Sequence, residues 1–170
     1  TETDVIFHHI YTERKVYPLD LYIDEMPRDL VTDAVLDYGN AIKDLGAANI
    51  FPGDLFTKNF GVTRHGSVVF YDYDELTFLD EMNFRSIPQA RTYEDELSSE
   101  PWFTVGADDV FPEEFKKFFR FPDKISEKFE QAHGDLCDPE MWIQLQELNQ
   151  SPDSGEFFPY SEQARFNLPE

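Results

Sequence analysis

The chain reads Asn49-Ile-Phe-Pro-Gly-Asp-Leu-Phe-Thr-Lys-Asn59 at the point where a long helical pattern ends and a short hairpin pattern begins. Pro52 and Gly53 interrupt the periodicity, so a loop is predicted from there to Asn59. Asp54 and Asn59 lie five residues apart on this loop. The sequence therefore predicts a helix, then a loop, then a hairpin. The oxygen-bearing side chains of Asp54 and Asn59 lie on the loop that connects the helix to the hairpin.

The residues before the loop predict an amphipathic helix from Asp29 to Asn49. Either Asp29 or Thr32 is expected to cap its start. A short helix is predicted from Pro18 to Ile23, stopping near Pro27. The apolar residues of the long helix recur every three or four positions, as one buried face requires, and are Leu30, Ala34, Val35, Tyr38, Ala41, Ile42, Leu45 and Ala48.

The residues after the loop predict a hairpin with strands at 60–63 and 67–71, joined by a turn at Arg64-His-Gly66. Asp72 lies thirteen residues after Asn59, at the far end of this hairpin. Because a hairpin returns the chain to its starting point, we expect the side chains of Asp54, Asn59 and Asp72 to converge.

Elsewhere the pattern is uneven. A buried strand is predicted over Val5–Tyr11, and the interval 72–109 is interpreted as ordered loop with brief helix. Helical signals return at 112–119 and 123–133, and a last helix is predicted from Asp138, whose side chain can cap it, to Gln150. The remainder, 151–170, is expected to be a tail along the surface. The fold class is therefore α+β, predominantly helical, with small two-stranded β elements.

Composition narrows the classes of partner. The chain has 170 residues, 35 Asp plus Glu against 14 Lys plus Arg, and a formal net charge of -21. A field of that sign repels phosphate backbones and anionic membranes, so neither nucleic acid nor a membrane is an expected partner. Cys137 is the only cysteine, which fits a reducing cytoplasm. Cations, and proteins with a basic patch, are the expected partners.

Two carboxylates and an amide in this arrangement suit phosphoryl transfer. That reaction depends mainly on positioning and on charge, with a carboxylate to accept the attacking proton and oxygen ligands for Mg²⁺. Asp54 suits the first role, and Asn59 and Asp72 suit the second, because Mg²⁺ prefers carboxylate and amide oxygens.

The spacing resembles the catalytic loop and metal motif of protein kinases, Asp-x-x-x-x-Asn followed by Asp-Phe-Gly. Pro52-Gly53 stands where kinases carry His-Arg, and Tyr73-Asp74 replaces Phe-Gly. Longer stretches resemble the isocitrate dehydrogenase kinase/phosphatase family. They include Ala47-Ala-Asn-Ile-Phe-Pro-Gly-Asp-Leu55, Lys58-Asn-Phe-Gly-Val-Thr-Arg-His-Gly66 and Val68-Val-Phe-Tyr-Asp-Tyr-Asp-Glu75, and the resemblance spans nearly the whole chain.

The resemblance implies a bifunctional bacterial, cytoplasmic enzyme that phosphorylates isocitrate dehydrogenase on serine and also removes that phosphate, controlling the glyoxylate bypass. It implies Mg²⁺ or Mn²⁺ as the metal and ATP or ADP as the nucleotide. By position, Asp54 corresponds to the base, and Asn59 and Asp72 to the metal ligands. Glu13 and Arg14, in the expected hinge, are assigned to nucleotide binding.

Two further residues are assigned by hypothesis. Asp74 replaces the glycine of ordinary kinases, and an extra carboxylate beside the metal is expected to orient water in the phosphatase direction. Lys58, four residues after Asp54, is expected to neutralise the transferring phosphate.

The resemblance also implies that residues 1–170 form one domain, the C-lobe of a kinase-like fold. Its parts are a hinge at about 5–17, a catalytic loop at 51–60, a metal motif at 70–75 and C-terminal helices over 110–150. The sequence contains no Gly-x-Gly-x-x-Gly loop and no Val-Ala-x-Lys strand. Since it also begins at Thr1, it is expected to come from a longer protein and to show negligible kinase activity alone.

Plainer interpretations stay open from the residues alone. Asp54 is also typical of a turn, and Asp72 and Asp74 of a solvated acidic strand end on which only one of the two faces a given side. His133, before Gly134, is expected to complement a helix end as an imidazolium. The alternative function is an acidic protein-interaction module that has lost catalysis; a metal-dependent hydrolase unrelated to kinases is weaker still.

Overall fold

The longest element among the described residues is the helix that leads into the loop at 52–59. The computed structural model describes residues 15–89, 92 and 102–151. Within them the elements in chain order are β1 Tyr17–Pro18, α1 Leu19–Glu25, α2 Arg28–Ala47, β2 Ile50–Phe51, β3 Phe60–Val62, β4 Val68–Phe70, β5 Thr77–Phe78, β6 Asn83–Phe84, β7 Asp109–Val110, α3 Asp123–His133 and α4 Pro139–Asn149. Short 3₁₀ turns lie at Thr57–Asn59, Leu79–Glu81, Pro112–Lys117 and Gly134–Cys137.

The strands form three small sheets. β3 and β4 are the predicted hairpin, paired Phe60 with Phe70, and β1 adds a third antiparallel strand beside β3. β2 pairs antiparallel with β5, and β6 pairs in parallel with β7. The α+β class with small sheets is confirmed, although the hairpin sheet has three strands rather than the predicted two.

The predicted capping residues of α2 are wrong, although the helix begins within one residue of the predicted start at Asp29. The helix begins at Arg28, its N-cap is Pro27, and no side chain caps it. Thr32 therefore lies inside the helix, where its hydroxyl donates to the carbonyl of Arg28 at 2.8 Å. The predicted apolar face is largely correct, with Ala34, Val35, Tyr38 and Ile42 buried, whereas Leu30 is 45% exposed and Val31 is buried in its place.

Aromatic rings fill the core against α2. The Tyr38 ring contacts Phe60 edge-on, with ring centroids 4.7 Å apart, and packs beside Phe129 at 6.1 Å. A second group surrounds Trp142, which stacks on Phe84 with centroids 5.2 Å apart. Such aromatic contacts stabilise the fold beyond the burial of apolar area. The buried residues of the helices and of the small sheets belong to one core.

The last helix among the described residues, α4, is joined to the rest of the fold by its polar side chains. Asp138 accepts a hydrogen bond from the backbone N–H of Glu140 at 3.0 Å, so the predicted cap of α4 is confirmed. The Gln146 amide donates to the carbonyls of Leu79 and Met82, both at 2.7 Å. One side chain of α4 thus holds both ends of the turn that follows β5.

Three short strands lie inside the interval predicted as loop with brief helix. β5, β6 and β7 have two residues each, too few for alternation of apolar and polar residues to stand out. β6 and β7 are held by Asp109, which accepts from the Asn83 side chain at 2.5 Å and pairs with Arg85 at 3.0 Å. The predicted strand Val5–Tyr11 and most of the tail lie outside the described residues.

His133 ends α3 but does not face solvent. It is 5% exposed, and burial lowers its pKa, with the nearby Lys43 ammonium acting in the same direction. The expectation of an imidazolium at this helix end is therefore wrong, because burial disfavours the charged form. The ring packs on Gly39 of α2, where a Cβ would stand 2.3 Å from its Cδ2.

Among the described residues, no helix is both long and apolar enough to cross a membrane.

Gly39→Ala is expected to lower the free energy of unfolding by about 1–3 kcal/mol, because overpacking outweighs the gain in helix propensity. Gly134→Ala is the matched control: its nearest neighbour would be the Glu130 Cγ at 3.6 Å, an ordinary contact. Urea unfolding followed by circular dichroism measures both. Equal midpoints for the two variants would contradict this account of the α2–α3 contact.

Candidate active site

Two segments of the site are connected to the same pair of strands. The loop at 52–59 follows β2, and the segment at 72–76 precedes β5. β2 and β5 pair antiparallel, with Phe51 opposite Thr77. Pro52, the first residue of the loop, and Leu76, the last residue of the segment before β5, therefore lie next to this pair. This pairing brings the 52–59 loop beside residues 72–76 without any contact between the loops themselves being needed.

Asn49 redirects the chain from α2 into this pair of strands. It adopts a positive φ of 59°, a conformation that Asn tolerates after a helix. Its carbonyl accepts from Leu79 N at 3.0 Å and its side-chain Oδ1 from Asp80 N at 3.1 Å. Asn49 thereby joins the end of α2 to the turn after β5.

Gly53 allows the two segments to approach closely. Its φ is +52°, and a Cβ at this position would lie 2.8 Å from the Glu75 carbonyl oxygen. A side chain here would both strain the backbone and collide with backbone atoms that cannot rotate away. Glycine is therefore required for the loop to lie against the segment that carries Asp72 and Asp74.

Tyr38 anchors the loop to α2. Its hydroxyl donates to the carbonyl of Leu55, and both residues are almost completely buried. Burial raises the pKa of Tyr38 well above its ordinary value, and the nearby Asp54 carboxylate raises it further, so the hydroxyl remains a donor. The loop backbone is thus fixed one residue after Asp54.

Asp54 is oriented from two sides. Its Oδ1 accepts from the backbone N–H of Phe56 at 3.1 Å and from the side-chain amide of Asn59. The first contact is the local hydrogen bond typical of Asp in turns, so the turn interpretation describes one part of its environment. Both bonds use Oδ1, which leaves Oδ2 for a further partner. The Asn59 amide, by donating through nitrogen, presents its own oxygen elsewhere.

A second set of hydrogen bonds joins the loop to the end of the hairpin. The Tyr71 hydroxyl donates to the carbonyl of Lys58, and Tyr71 N donates to the carbonyl of Asn59 at 3.1 Å. The pKa of Tyr71 is raised, first by burial and then by the carboxylates of Asp20 and Asp72. Asp72 consequently starts from a fixed position next to Asn59.

These contacts enclose a small cleft, here called the Asp54 cleft, with a volume of about 150 Å³. Its lining contains all five predicted site residues that the structure describes, together with two others: Pro52, Asp54, Lys58, Asn59, Asp72, Asp74 and Glu75. Four carboxylates and one ammonium give it a negative balance, which favours a cation. Asn59 is 5% exposed, so its amide is held rigidly.

Asp72 and Asp74 lie on the same cleft, so the expectation that only one of them faces a given side is wrong. Side chains two residues apart lie on the same face of an extended strand, and only successive residues alternate. Strand β4 ends at Phe70 and a turn begins at Asp74, yet Asp72 and Asp74 still line the same cleft. Tyr73, between them, is 67% exposed and its ring packs on Phe70.

The sequence does not predict two features of the cleft. Glu75 lines the cleft but is not among the predicted site residues, although it stands next to Asp74 in an acidic run. The Lys58 ammonium lies 5.0 Å from the centre of the Phe56 ring, over its face, while the residue lines the cleft. Glu13 and Arg14, the predicted nucleotide contacts, lie outside the described residues.

The donor set fits a magnesium ion that shares its shell with a phosphate. Among the described residues, no group of three or more His, Cys, Asp or Glu side chains is placed to hold a metal by itself. Mg²⁺ commonly takes one or two protein carboxylates and fills its remaining positions with water and phosphate oxygens. Asp72 and the Asn59 amide oxygen meet that smaller requirement.

Comparison with known proteins identifies the family. The model of the isocitrate dehydrogenase kinase/phosphatase (AceK) kinase domain matches residues 1–162. The chain belongs to this kinase-domain family. It is 48% identical over 163 residues to isocitrate dehydrogenase kinase/phosphatase of Yersinia pestis (strain Pestoides F), and equally to those of Serratia proteamaculans (strain 568) and Photorhabdus laumondii. Each alignment covers 96% of this chain and 28% of the relative.

Tyr38→Phe is expected to lower the free energy of unfolding by about 1–3 kcal/mol, since it leaves the buried Leu55 carbonyl without its donor. The loop then loses its anchor, so Mg²⁺ affinity should fall as well. Tyr73→Phe is the control, because the Tyr73 hydroxyl is exposed and donates at 3.2 Å to the Phe70 carbonyl. Thermal unfolding and calorimetric titration with Mg²⁺ plus nucleotide measure the two effects. Unchanged stability in Tyr38→Phe would contradict the anchoring role.

Proposed function

We propose that this chain is the C-lobe of a kinase-like domain and supplies the base and metal ligands of an enzyme that phosphorylates isocitrate dehydrogenase on serine and removes that phosphate. The observation that carries the proposal is the Asp54 cleft, in which the side chains of Asp54, Asn59 and Asp72 meet. Family membership supports the substrate, because the relatives are named isocitrate dehydrogenase kinase/phosphatase. The chain covers about a quarter of their length, so activity belongs to the complete protein.

The kinase-like assignment is supported by the order of elements. α2 leads into the loop at 52–59, β3 and β4 return the chain, and Asp72 lies between β4 and β5, which pairs with β2. In this proposal the base and the two metal ligands share the Asp54 cleft. Protein kinases use the same sequence of parts.

Asp54 acts as the base in this proposal. Its Oδ1 is occupied by Phe56 N and the Asn59 amide, so Oδ2 is the atom that accepts the serine proton. The fixed orientation matters because a base must lie within hydrogen-bond reach of the proton it removes. Lys58, on the same cleft, balances negative charge on the phosphate being transferred.

Asn59 and Asp72 would hold Mg²⁺, or Mn²⁺, which when bound to ATP or ADP neutralises phosphate charge. The chain's own contribution is to keep these oxygens in place. Tyr71 does so by bonding to the backbone of Lys58 and Asn59. A rigid ligand pair lowers the cost of assembling the metal–nucleotide complex.

Asp54→Asn in a complete protein carrying this sequence is expected to reduce kinase turnover by about 10²–10⁴-fold, the usual contribution of a positioned base. Nucleotide affinity should change little, because the amide keeps the size of the carboxylate. Asp33→Asn, an exposed change on α2, is the matched control. Transfer of labelled phosphate to isocitrate dehydrogenase measures turnover. Turnover within about threefold of the parent would reject Asp54 as base.

Binding of isocitrate dehydrogenase without any response to Mg²⁺ plus nucleotide would instead favour the alternative function, an acidic protein-interaction module that has lost catalysis.

Asp74→Ala tests the phosphatase assignment. We expect release of phosphate from phosphorylated isocitrate dehydrogenase to fall by about 10²-fold, with a much smaller change in the kinase rate, because Asp74 would orient water rather than serine. Both rates are measured on the same preparation, and Asp54→Asn provides the comparison for a general loss. Equal loss of the two activities, or loss of neither, would contradict the specialised role.

A further inference from the structure

A second cavity lies on the other side of Tyr73, between the C-terminal half of α2 and strand β4. This α2–β4 groove has a volume of about 560 Å³. Its lining is formed by apolar residues with one charged residue among them: Ala41, Asp44, Leu45, Ala47, Ala48, Ile50, Val68, Val69, Phe70 and Tyr73. The lining shares no residue with the Asp54 cleft.

The groove is open rather than part of the core. Ala47 and Asp44 are exposed, and Tyr73 is 67% exposed. An accessible apolar concavity of this size is unusual on a protein surface unless something binds there.

One carboxylate lines the groove, a second contacts its lining, and two more lie close to lining residues along the chain or through a hydrogen bond. Asp44 itself lines the groove. Asp37 accepts a hydrogen bond from the backbone N–H of the lining residue Val68 at 2.7 Å. Asp80 is joined to Asn49, which lies between Ala48 and Ile50, and Asp74 follows Tyr73 in the chain. None of the lining residues is Lys or Arg, and the whole chain carries a net charge of -21.

We propose that the α2–β4 groove docks an extended segment of a partner protein that has apolar anchor residues flanked by Lys or Arg. The apolar lining buries the anchors, and the nearby carboxylates attract the flanks and disfavour acidic segments. The proposal does not depend on the catalytic role of the Asp54 cleft.

Tyr73 gives the groove a connection to the cleft. Its ring forms part of the groove lining and packs on Phe70, with centroids 5.7 Å apart. The residues on either side of it, Asp72 and Asp74, line the cleft. A docked segment therefore contacts the one side chain that separates these two carboxylates.

The test uses the complete protein and three fluorescein-labelled peptides measured by anisotropy. The first has three spaced leucines flanked by two lysines at each end, the second replaces leucine with serine, and the third replaces lysine with glutamate. We expect the first peptide to bind at least about tenfold more tightly than either of the others, with an affinity that falls as salt rises. Equal binding of the serine peptide overturns the proposal.

Surface variants locate the binding. Ala47→Arg introduces bulk and positive charge into the lining, and Asp44→Lys reverses the one charge of the lining. Each variant should lower the affinity for the first peptide by about tenfold. Asp33→Lys is the matched control, because it lies eleven residues earlier on the same face of α2, about 16 Å away along the axis. Equal loss in Asp33→Lys, or no loss in the other two, overturns the proposal.

Two other occupants are distinguishable. If a second copy of the chain fills the groove, Ala47→Arg will change the oligomeric state in analytical ultracentrifugation. If another part of the same protein fills it, the unmodified protein will bind none of the peptides. Either outcome overturns the docking of a partner segment.

Discussion

The hydrogen bond from the Tyr38 hydroxyl to the Leu55 carbonyl fixes the geometry on which the site depends. It joins the centre of α2 to the loop at the residue after Asp54, inside a core of aromatic rings. The loop buries Pro52 and Leu55 in the core, and the Tyr38 hydroxyl satisfies the Leu55 carbonyl that is buried with them. The position of Asp54 is thus set by packing around Tyr38, and Asn59 and Tyr71 then extend that order to Asp72.

Much of this arrangement was predictable because it rests on local rules. α2, the hairpin, α3 and the Asp138 cap of α4 all follow from periodicity, glycine in a turn or a capping side chain. The convergence of Asp54, Asn59 and Asp72 on one cleft follows in turn from the hairpin. Their chemical roles are predictions that rest on the resemblance and on the types of donor atom.

The parts that could not be predicted depend on contacts between distant residues. The two-residue strands β5, β6 and β7 exist only because partners lie beside them. The burial of His133 requires the space left by Gly39, ninety-four positions earlier in the sequence.

Gln146 gives α4 a role in addition to its packing in the core. Its side-chain amide donates to the carbonyls of Leu79 and Met82. These residues lie at the two ends of the turn that follows β5. A helix some seventy positions downstream of Asp74 therefore holds the turn that follows β5. Any shortened version intended for ligand soaking or crystallisation must retain α4 in full, because trimming it removes both of these hydrogen bonds.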